Sequence, residues 1–399
     1  METPAVWTIN MTQMLAALSD ALDCVEGELI GVSLHHAKRI ACLCAALGRR
    51  LGLDEEALFD LCACALLHDN ALPEYIATEY TPGSGISLGA HCVSGEANMQ
   101  RLPVFTDVKD VLLYHHEEAD GTGPFAKRNE DVPLYARLVH LTDILDATFD
   151  LRTGAEKLPA IRAFLTAESG RMFDAGCVRL LLEEDLDALL ESLRDARLPA
   201  TMRTLLPQIM RTLTPAQTED FAMLFAAVID YKSAFTARHS QGVAEKVLRM
   251  ADFYQIAEPE RMKLLLAGAL HDVGKLVIPN DLLEKPGKLT QDEYQTVQNH
   301  AYATWRILEQ IAGLDDVKRW AALHHEKLDG SGYPFGLKAE NLSRNERLMA
   351  CIDIYQAMTE PRPYKPGLSH ADAMRELDRL AALELLDAGI TADIGAVFA

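Results

Sequence analysis

No run of about 18 apolar residues occurs anywhere in this 399-residue chain, so no membrane-spanning helix is expected. The N-terminal stretch METPAVWTINMTQMLAAL has no basic region ahead of an apolar core, which argues against a signal peptide. Basic residues are also short: 38 Lys and Arg stand against 59 Asp and Glu, a formal net charge of −21. That balance excludes nonspecific binding to DNA or RNA duplexes, whose phosphates demand Lys and Arg, but leaves room for a single nucleotide in a local basic pocket. Runs of Val, Ile and Thr are scarce, so few strands are expected. Of the eight cysteines, none stands at zinc-ribbon spacing. Seven of them (Cys24, Cys42, Cys44, Cys62, Cys64, Cys92 and Cys177) lie in the first half, mostly as C-x-C in apolar stretches. They read as small buried apolar residues in the reducing cytoplasm, with a redox switch as the alternative.

Apolar residues make up 49% of the chain, enough for sizeable cores, and Leu, Ala, Glu and Arg dominate. This composition predicts an all-α protein of roughly two to four domains at about 100–200 residues each. The two halves repeat one another. LLHDN parallels LHDVG, HCVSGEANMQRL parallels HAYATWRILEQI, YHHEEADGTGPF parallels LHHEKLDGSGYPF, and RLVHLTDILDA parallels RLMACIDIYQA. The offset is 203 residues from His36 to His239 and from His68 to His271, 209 from His115 to His324, and 210 from Asp143 to Asp353. Constant order with a small change in length marks a duplicated domain. The predicted division is 1–190 for the first copy, 191–213 for a helical connector and 214–399 for the second copy, opened by Thr214 as N-cap and Pro215 as first helical residue.

In the second copy a helix is predicted from Thr290, which with Glu293 forms a capping box. Tyr294, Val297, Ala301, Trp305 and Leu308 recur at spacings of three and four and mark its apolar face. His300 shares that face. His239 lies four residues before Val243, and His271 with Asp272 closes LLLAGAL, which is apolar all round and therefore central. One buried histidine is ordinarily a hydrogen-bonded core residue. Seven groups, His239, His271, Asp272, His300, His324, His325 and Asp353, would leave many buried polar atoms without partners. A metal centre resolves this. A set of nitrogen and oxygen ligands without thiolate suits Fe, Mn, Zn or Ni, and seven ligands suit two ions better than one.

These residues, together with HDVGK at 271–275, IPNDLLEKPGKLT at 278–290, HHEKLDGSGYP at 324–334 and RPYK at 362–365, closely resemble the HD-GYP domains of the HD phosphohydrolase superfamily. The resemblance covers residues 215–370. It implies two tandem HD-type helical bundles joined by a connecting helix, and a metal-dependent phosphodiesterase that hydrolyses cyclic di-GMP or the cyclic GMP–AMP dinucleotide. The implied cofactors are two divalent transition-metal ions, iron or manganese, held by the seven residues above. Asp272 would bridge them and Lys275 would contact the scissile phosphate. Gly332, Tyr333 and Pro334 would shape the substrate side, and Arg362 and Lys365 would hold phosphate or guanine. Two positions depart from the family. Phe235 stands where members with a third metal carry glutamate, which favours two metals, and Gln356 stands where an aspartate is common.

The first copy resembles the same family more weakly. It keeps His36, His68, Asp69, His91, His115, His116 and Asp143, but has Leu72 for the lysine, GTGPF for GSGYP, no KPGKLT segment, and of RPYK only Arg152. It reads as a regulatory, metal-binding relative that turns over poorly or not at all. For the second copy, the expected chemistry is attack by a metal-bridging hydroxide on the phosphodiester, giving the linear dinucleotide and then, on a second cut, mononucleotides. Lys275, four residues after His271, is expected one helical turn on and on the same face. The alternatives are a noncatalytic cyclic dinucleotide or metal/redox sensor acting through a signalling partner protein, and a di-iron oxygenase, against which the GYP and RPYK text argues. Metal identity, ring preference and homodimer formation stay open at this stage.

Overall fold

The computed structural model describes residues 7–79, 87–232, 238–283, 285, 287–361 and 366–399. Almost all regular structure among them is helical, as the composition predicts. The strands are two pairs of residues, Ile9–Asn10 and Met210–Arg211. The chain divides into two units, Asn10–Met210 and Arg211–Ala399, the second joined by the residues up to Ile9. Trp7 accordingly donates its indole N–H to the carbonyl of Gly313 at 2.8 Å. The stretch predicted as a separate connector is not one continuous helix. It breaks into Leu186–Ser192 and Leu198–Leu205, and the latter belongs to the first unit, where the Arg49 guanidinium donates to the Leu205 carbonyl at 3.0 Å. No helix of the described residues is long and apolar enough to cross a membrane.

The C-terminal unit is built around the helix Glu260–Leu270, whose residues from Leu264 onward are completely buried. Its apolar surface on every side lets other helices pack all around it. Gly268 permits the closest approach: a Cβ there would lie 2.9 Å from Cα of Ala244 in the helix His239–Phe253. The helix ends at Leu270, and His271-Asp272 leads into a 3-10 turn, Val273–Val277. Gly274 presses that turn against the helix Gln291–Leu308, where a Cβ would fall 2.0 Å from the His300 carbonyl oxygen. Thr304 locks the contact, accepting from Gly274 N–H and donating to the His271 carbonyl, both at 3.0 Å.

Both predicted helix starts are present. Thr290 with Glu293 and Thr214 with Gln217 form capping boxes, with Pro215 at the first position of the helix Pro215–Asp230. The predicted apolar face is only partly core: Ala301 and Leu308 are buried, Val297 and Trp305 are half-buried, and Tyr294, in the first turn after Thr290, is 47% exposed. Helical periodicity puts Tyr294 on that face but does not by itself bury it.

The N-terminal unit repeats the plan with the helices Met11–Ile30, His36–Arg50, Glu55–Leu66, Leu88–Met99 and Leu134–Phe149. Its counterpart of Gly274 is Ala71, and its counterpart of Thr304 is Gly95. The bulk has changed sides: a Cβ on Gly95 would sit 3.9 Å from that of Ala71, and the Asn70 amide bonds the Gly95 carbonyl at 3.2 Å. None of the eight cysteines is in a disulfide, and all but the half-exposed Cys24 are buried.

Candidate metal centre

In the C-terminal unit the seven expected groups converge. His271 and His324 stand just past helix ends and His300 stands within Gln291–Leu308, yet each donates Nδ1–H to the carbonyl three residues back: Gly268 at 2.8 Å, Val297 at 2.6 Å and Ala321 at 2.6 Å. A carbonyl only accepts, so in each neutral ring Nε2 carries the lone pair and points inward. His239 opens its helix with Nε2 3.0 Å from Asp353 Oδ1 and Nδ1 3.3 Å from Glu360 Oε2. Burial opposes charge on this ring, but the two carboxylates outweigh it and push it up to about 9.

Asp272 lies between two groups of ligands. Its Oδ2 is 3.2 Å from His271 Nε2 and 3.7 Å from His239 Nε2. Its Oδ1 is 3.4 Å from His300 Nε2 and 3.8 Å from His324 Nε2. Asp353 joins both sides, with Oδ1 toward His239 and Oδ2 3.7 Å from His325 Nδ1. Burial alone would raise Asp272, yet Lys275 and His271 hold it well below the usual carboxylate range.

The arrangement fits cations. Burial pushes His300 and His324 down, so both rings are neutral, yet their Nε2 atoms face each other at 3.4 Å with no proton to place between them. Asp272 Oδ1 is buried with no hydrogen-bond partner. Repelling lone pairs and an orphaned carboxylate oxygen are costly in a protein interior unless a cation joins them. The donors are all nitrogen and oxygen, in the groups His239–His271–Asp353 and His300–His324–His325.

Lys275 reaches the cluster, but not by a continuing α-helix. The 3-10 turn places it three residues after Asp272, whose Oδ2 accepts from its Nζ. Tyr333 stacks beside His325, ring centroids 4.7 Å apart, and its N–H bonds the His325 carbonyl at 3.2 Å. Gly332 lies against Glu326, where a Cβ would come within 2.5 Å of Glu326 Cα. Pro334 follows Tyr333 in the same loop. Arg362 and Lys365 lie outside the described residues, as does Phe235.

Two carboxylates here were missed in the sequence. Buried Glu326 ties the GSGYP loop by accepting from Phe335, Gly336 and Leu337 N–H at 2.7, 3.1 and 2.9 Å. Its adjacency to His324-His325 is the available signal. Glu360 orients His239 in place of the residue at 356. Gln356 instead accepts from Lys246 at 2.5 Å and fills the space over Gly242.

The N-terminal unit gathers the matching seven. Asp69 Oδ1 lies 3.1 Å from His91 Nε2 and 3.5 Å from His115 Nε2, while Oδ2 lies 3.5 Å from His68 Nε2. Asp143 Oδ1 is 3.1 Å from His36 Nε2, and Oδ2 is 4.0 Å from His116 Nδ1. His68 and His115 donate Nδ1–H to Ala65 and Leu112, and their buried Nε2 atoms have no hydrogen-bond partner. Asp146 holds His36 Nδ1 at 2.6 Å and is itself gripped by buried Arg39 at 2.7 and 2.9 Å. Cys92, which periodicity marks only as core, has Sγ 3.7 Å from His115 Nδ1; beyond the burial that opposes it, His115 and His91 bring the thiol down to about 7. Leu72 is buried where Lys275 stands in the other unit.

The chain is similar to known proteins over both units. The family model described as HD domain matches residues 29–175 and 223–390. The chain is 29% identical over 399 residues to 3′3′-cGAMP-specific phosphodiesterase 1 of Vibrio cholerae serotype O1, covering 96% of this chain and 91% of that one. It is 32% identical to 3′3′-cGAMP-specific phosphodiesterase 3 of the same organism over 63% of this chain and 55% of that one. It is 34% identical to a cyclic di-GMP phosphodiesterase of Thermotoga maritima over 38% of this chain and 42% of that one. Its fold is similar to the crystal structure of a cyclic GMP-AMP specific phosphodiesterase of V. cholerae, with a TM-score of 0.66, 24% identity and 98% of each chain covered. With both units matched over more than half its length, the chain belongs to the HD domain family.

Proposed function

We propose that the C-terminal unit is a metal-dependent phosphodiesterase that opens a 3′,3′-cyclic dinucleotide, cyclic GMP–AMP or cyclic di-GMP, to the linear dinucleotide. The observation that carries this reading is Asp272, whose two oxygens address two separate histidine groups while Lys275 stands beside it. His239, His271, Asp272 and Asp353 would hold one divalent transition metal, and Asp272, His300, His324, His325 and Asp353 a second; donor type admits Fe, Mn, Zn or Ni, and the family resemblance favours iron or manganese. When bound, such a pair supplies Lewis-acid charge and a nucleophile derived from water. The protein's own groups do the rest. Backbone carbonyls keep the protons of His271, His300 and His324 on Nδ1, and Glu360 does so for His239. The Lys275 ammonium offsets phosphate charge. Tyr333, seated on His325, is proposed to contact the cyclic dinucleotide. Arg362 and Lys365 follow Glu360 closely in sequence and are proposed as phosphate or guanine contacts.

The N-terminal unit is proposed to hold metal without turnover, because its metal-facing groups are kept while Lys275 and Tyr333 have no counterparts. The test is incubation of metal-loaded protein with cyclic GMP–AMP and cyclic di-GMP, under nitrogen and in air. Linear dinucleotide formed equally in both atmospheres is the expected result. Turnover only in air would point to an oxygenase, and binding without turnover at any metal loading to a sensor.

A further inference from the structure

The N-terminal cluster carries an ionisable side chain, Glu26, outside the set of seven that the two units share. Asp230 Oδ1 accepts from Ser240 N–H at 2.7 Å, and Asp23 Oδ1 accepts from Ala37 N–H at 3.1 Å. Ser240 and Ala37 each follow the first histidine of their set, so Asp230 and Asp23 are equivalent positions. In the C-terminal unit the helix Pro215–Asp230 stops there, whereas in the N-terminal unit Met11–Ile30 runs almost two turns further. Glu26, three residues after Asp23, therefore projects from the same side of its helix. It is 3% exposed, and its Oε1 lies 3.6 Å from His36 Nε2, the ring nitrogen that also faces Asp143. Ligand atoms of Glu26, His36 and His68 all lie within 4.8 Å of one another. The C-terminal cluster has two carboxylates and the ammonium of Lys275. The N-terminal cluster has three carboxylates, Glu26, Asp69 and Asp143, and buried Leu72 in place of the ammonium. Three buried carboxylates in one cluster, beside an unpartnered His68 Nε2, demand compensating positive charge.

We propose that Glu26 is a further ligand to a divalent cation in the N-terminal cluster, and that this unit holds its metal as a fixed part of its fold, closed to phosphodiesters. This rests on the reading of that cluster as a metal site. A carboxylate in the cluster supplies the negative charge that a substrate phosphate brings in the other unit, and it repels such a phosphate. The reversal of sign, Lys275 in one unit and Glu26 in the other, separates a site that exchanges anions from one that retains a cation.

The test uses the full chain in an Asp272→Ala background, so that metal loss is read mainly from the N-terminal unit. Protein loaded with Mn²⁺ without oxygen is exposed to a chelator, and metal per chain is followed by elemental analysis. Adding Glu26→Gln is expected to speed metal loss about tenfold or more, and adding Asp69→Ala to abolish retention. Loss at the parental rate from Glu26→Gln, with retention abolished by Asp69→Ala, overturns the role of Glu26 and leaves the metal site standing. Full retention with Asp69→Ala overturns the site itself. Thermal melts exclude a merely structural role. Removing one of three buried carboxylates should leave the metal-free midpoint no lower and shrink the rise that metal produces. A lower metal-free midpoint with an unchanged rise counts against the proposal.

Discussion

Asp272 and Asp69 occupy equivalent positions, yet only Asp272 has an ammonium beside it, from Lys275. Removing either carboxylate takes away the group that addresses both halves of its cluster. Asp272→Ala is therefore expected to abolish cyclic dinucleotide hydrolysis, and Asp69→Ala to lower it only in part, as measured by initial rates on metal-loaded protein. Equal losses would end the assignment of chemistry to one unit. Glu360 provides a subtler test, because it touches His239 only at Nδ1, away from the cluster. Glu360→Gln keeps an acceptor and removes the charge that makes His239 a better donor. About 10–100-fold weaker metal binding or activity is expected, as for other residues that orient a metal-binding imidazole. Unchanged metal titration and kinetics would show that Asp353 alone orients the ring. The family resemblance marks position 356 as the place where an aspartate is common. The chain instead puts Gln356 there and takes the acid one turn later, a substitution that only the packing of Gly242, Lys246 and Gln356 explains.

At the scale of elements, the HD turn depends on how closely it lies against the next helix. Gly274→Ala would set a methyl 2.0 Å from the His300 carbonyl oxygen, and backbone cannot yield as a flexible side chain does. The expected loss is about 1–3 kcal/mol in chemical denaturation, with reduced metal affinity because His271 and His300 move apart. Ala71→Gly, the reverse change in the other unit, meets no such clash and should cost no more than about 1 kcal/mol. A second test concerns Asp174, the N-cap of the helix Ala175–Leu182, which also accepts from Asn129 and Arg137. Burial would raise this carboxyl, but the Asn129, Cys177 N–H and Arg137 bonds outweigh it and bring it down to about 2. With its folded value below its unfolded value of 3.8, it stabilises fully above about pH 4 and loses that contribution as pH falls toward 2. Asp174→Ala should lower stability at neutral pH by about 1–2 kcal/mol, and its difference from the parent should shrink over that acid window. A difference independent of pH would sink the argument. Much at this scale was legible in the sequence: the Thr290–Glu293 capping box, the helix start at Thr214-Pro215, the central apolar helix and the inward histidines follow from local chemistry and period. The 3-10 turn that carries Lys275 was not, because a turn closing three residues on and one closing four on leave nearly the same mark when an apolar run ends in His-Asp.

At the scale of the whole molecule, duplication explains why the site could be located before the fold was known. Two copies with the same ligand order identify the retained residues by comparison within one chain, without other proteins. The same comparison is blind to groups found in one copy alone, so Glu26 and Cys92 passed as ordinary helix residues, and both come into view only where helices converge. The duplication also sets how the molecule should respond to metal removal. Each unit closes around groups that oppose one another without cations: facing Nε2 atoms and orphaned Asp272 Oδ1 in one, and clustered carboxylates with unpartnered His68 and His115 Nε2 atoms in the other. A metal that binds only the folded state stabilises it by about 4 kcal/mol when present at a thousand times its dissociation constant. Chelation should therefore lower the melting midpoint of the full chain, and added Mn²⁺ or Fe²⁺ should raise it with concentration. Asp272→Ala and Asp69→Ala should each remove part of that rise, and the double substitution should remove it altogether. The two partial effects should add, because the sites share no ligand and belong to separate compact units. A midpoint indifferent to metal in the parent chain would mean that the buried histidines and carboxylates of both units satisfy one another, and that neither cluster is a metal centre.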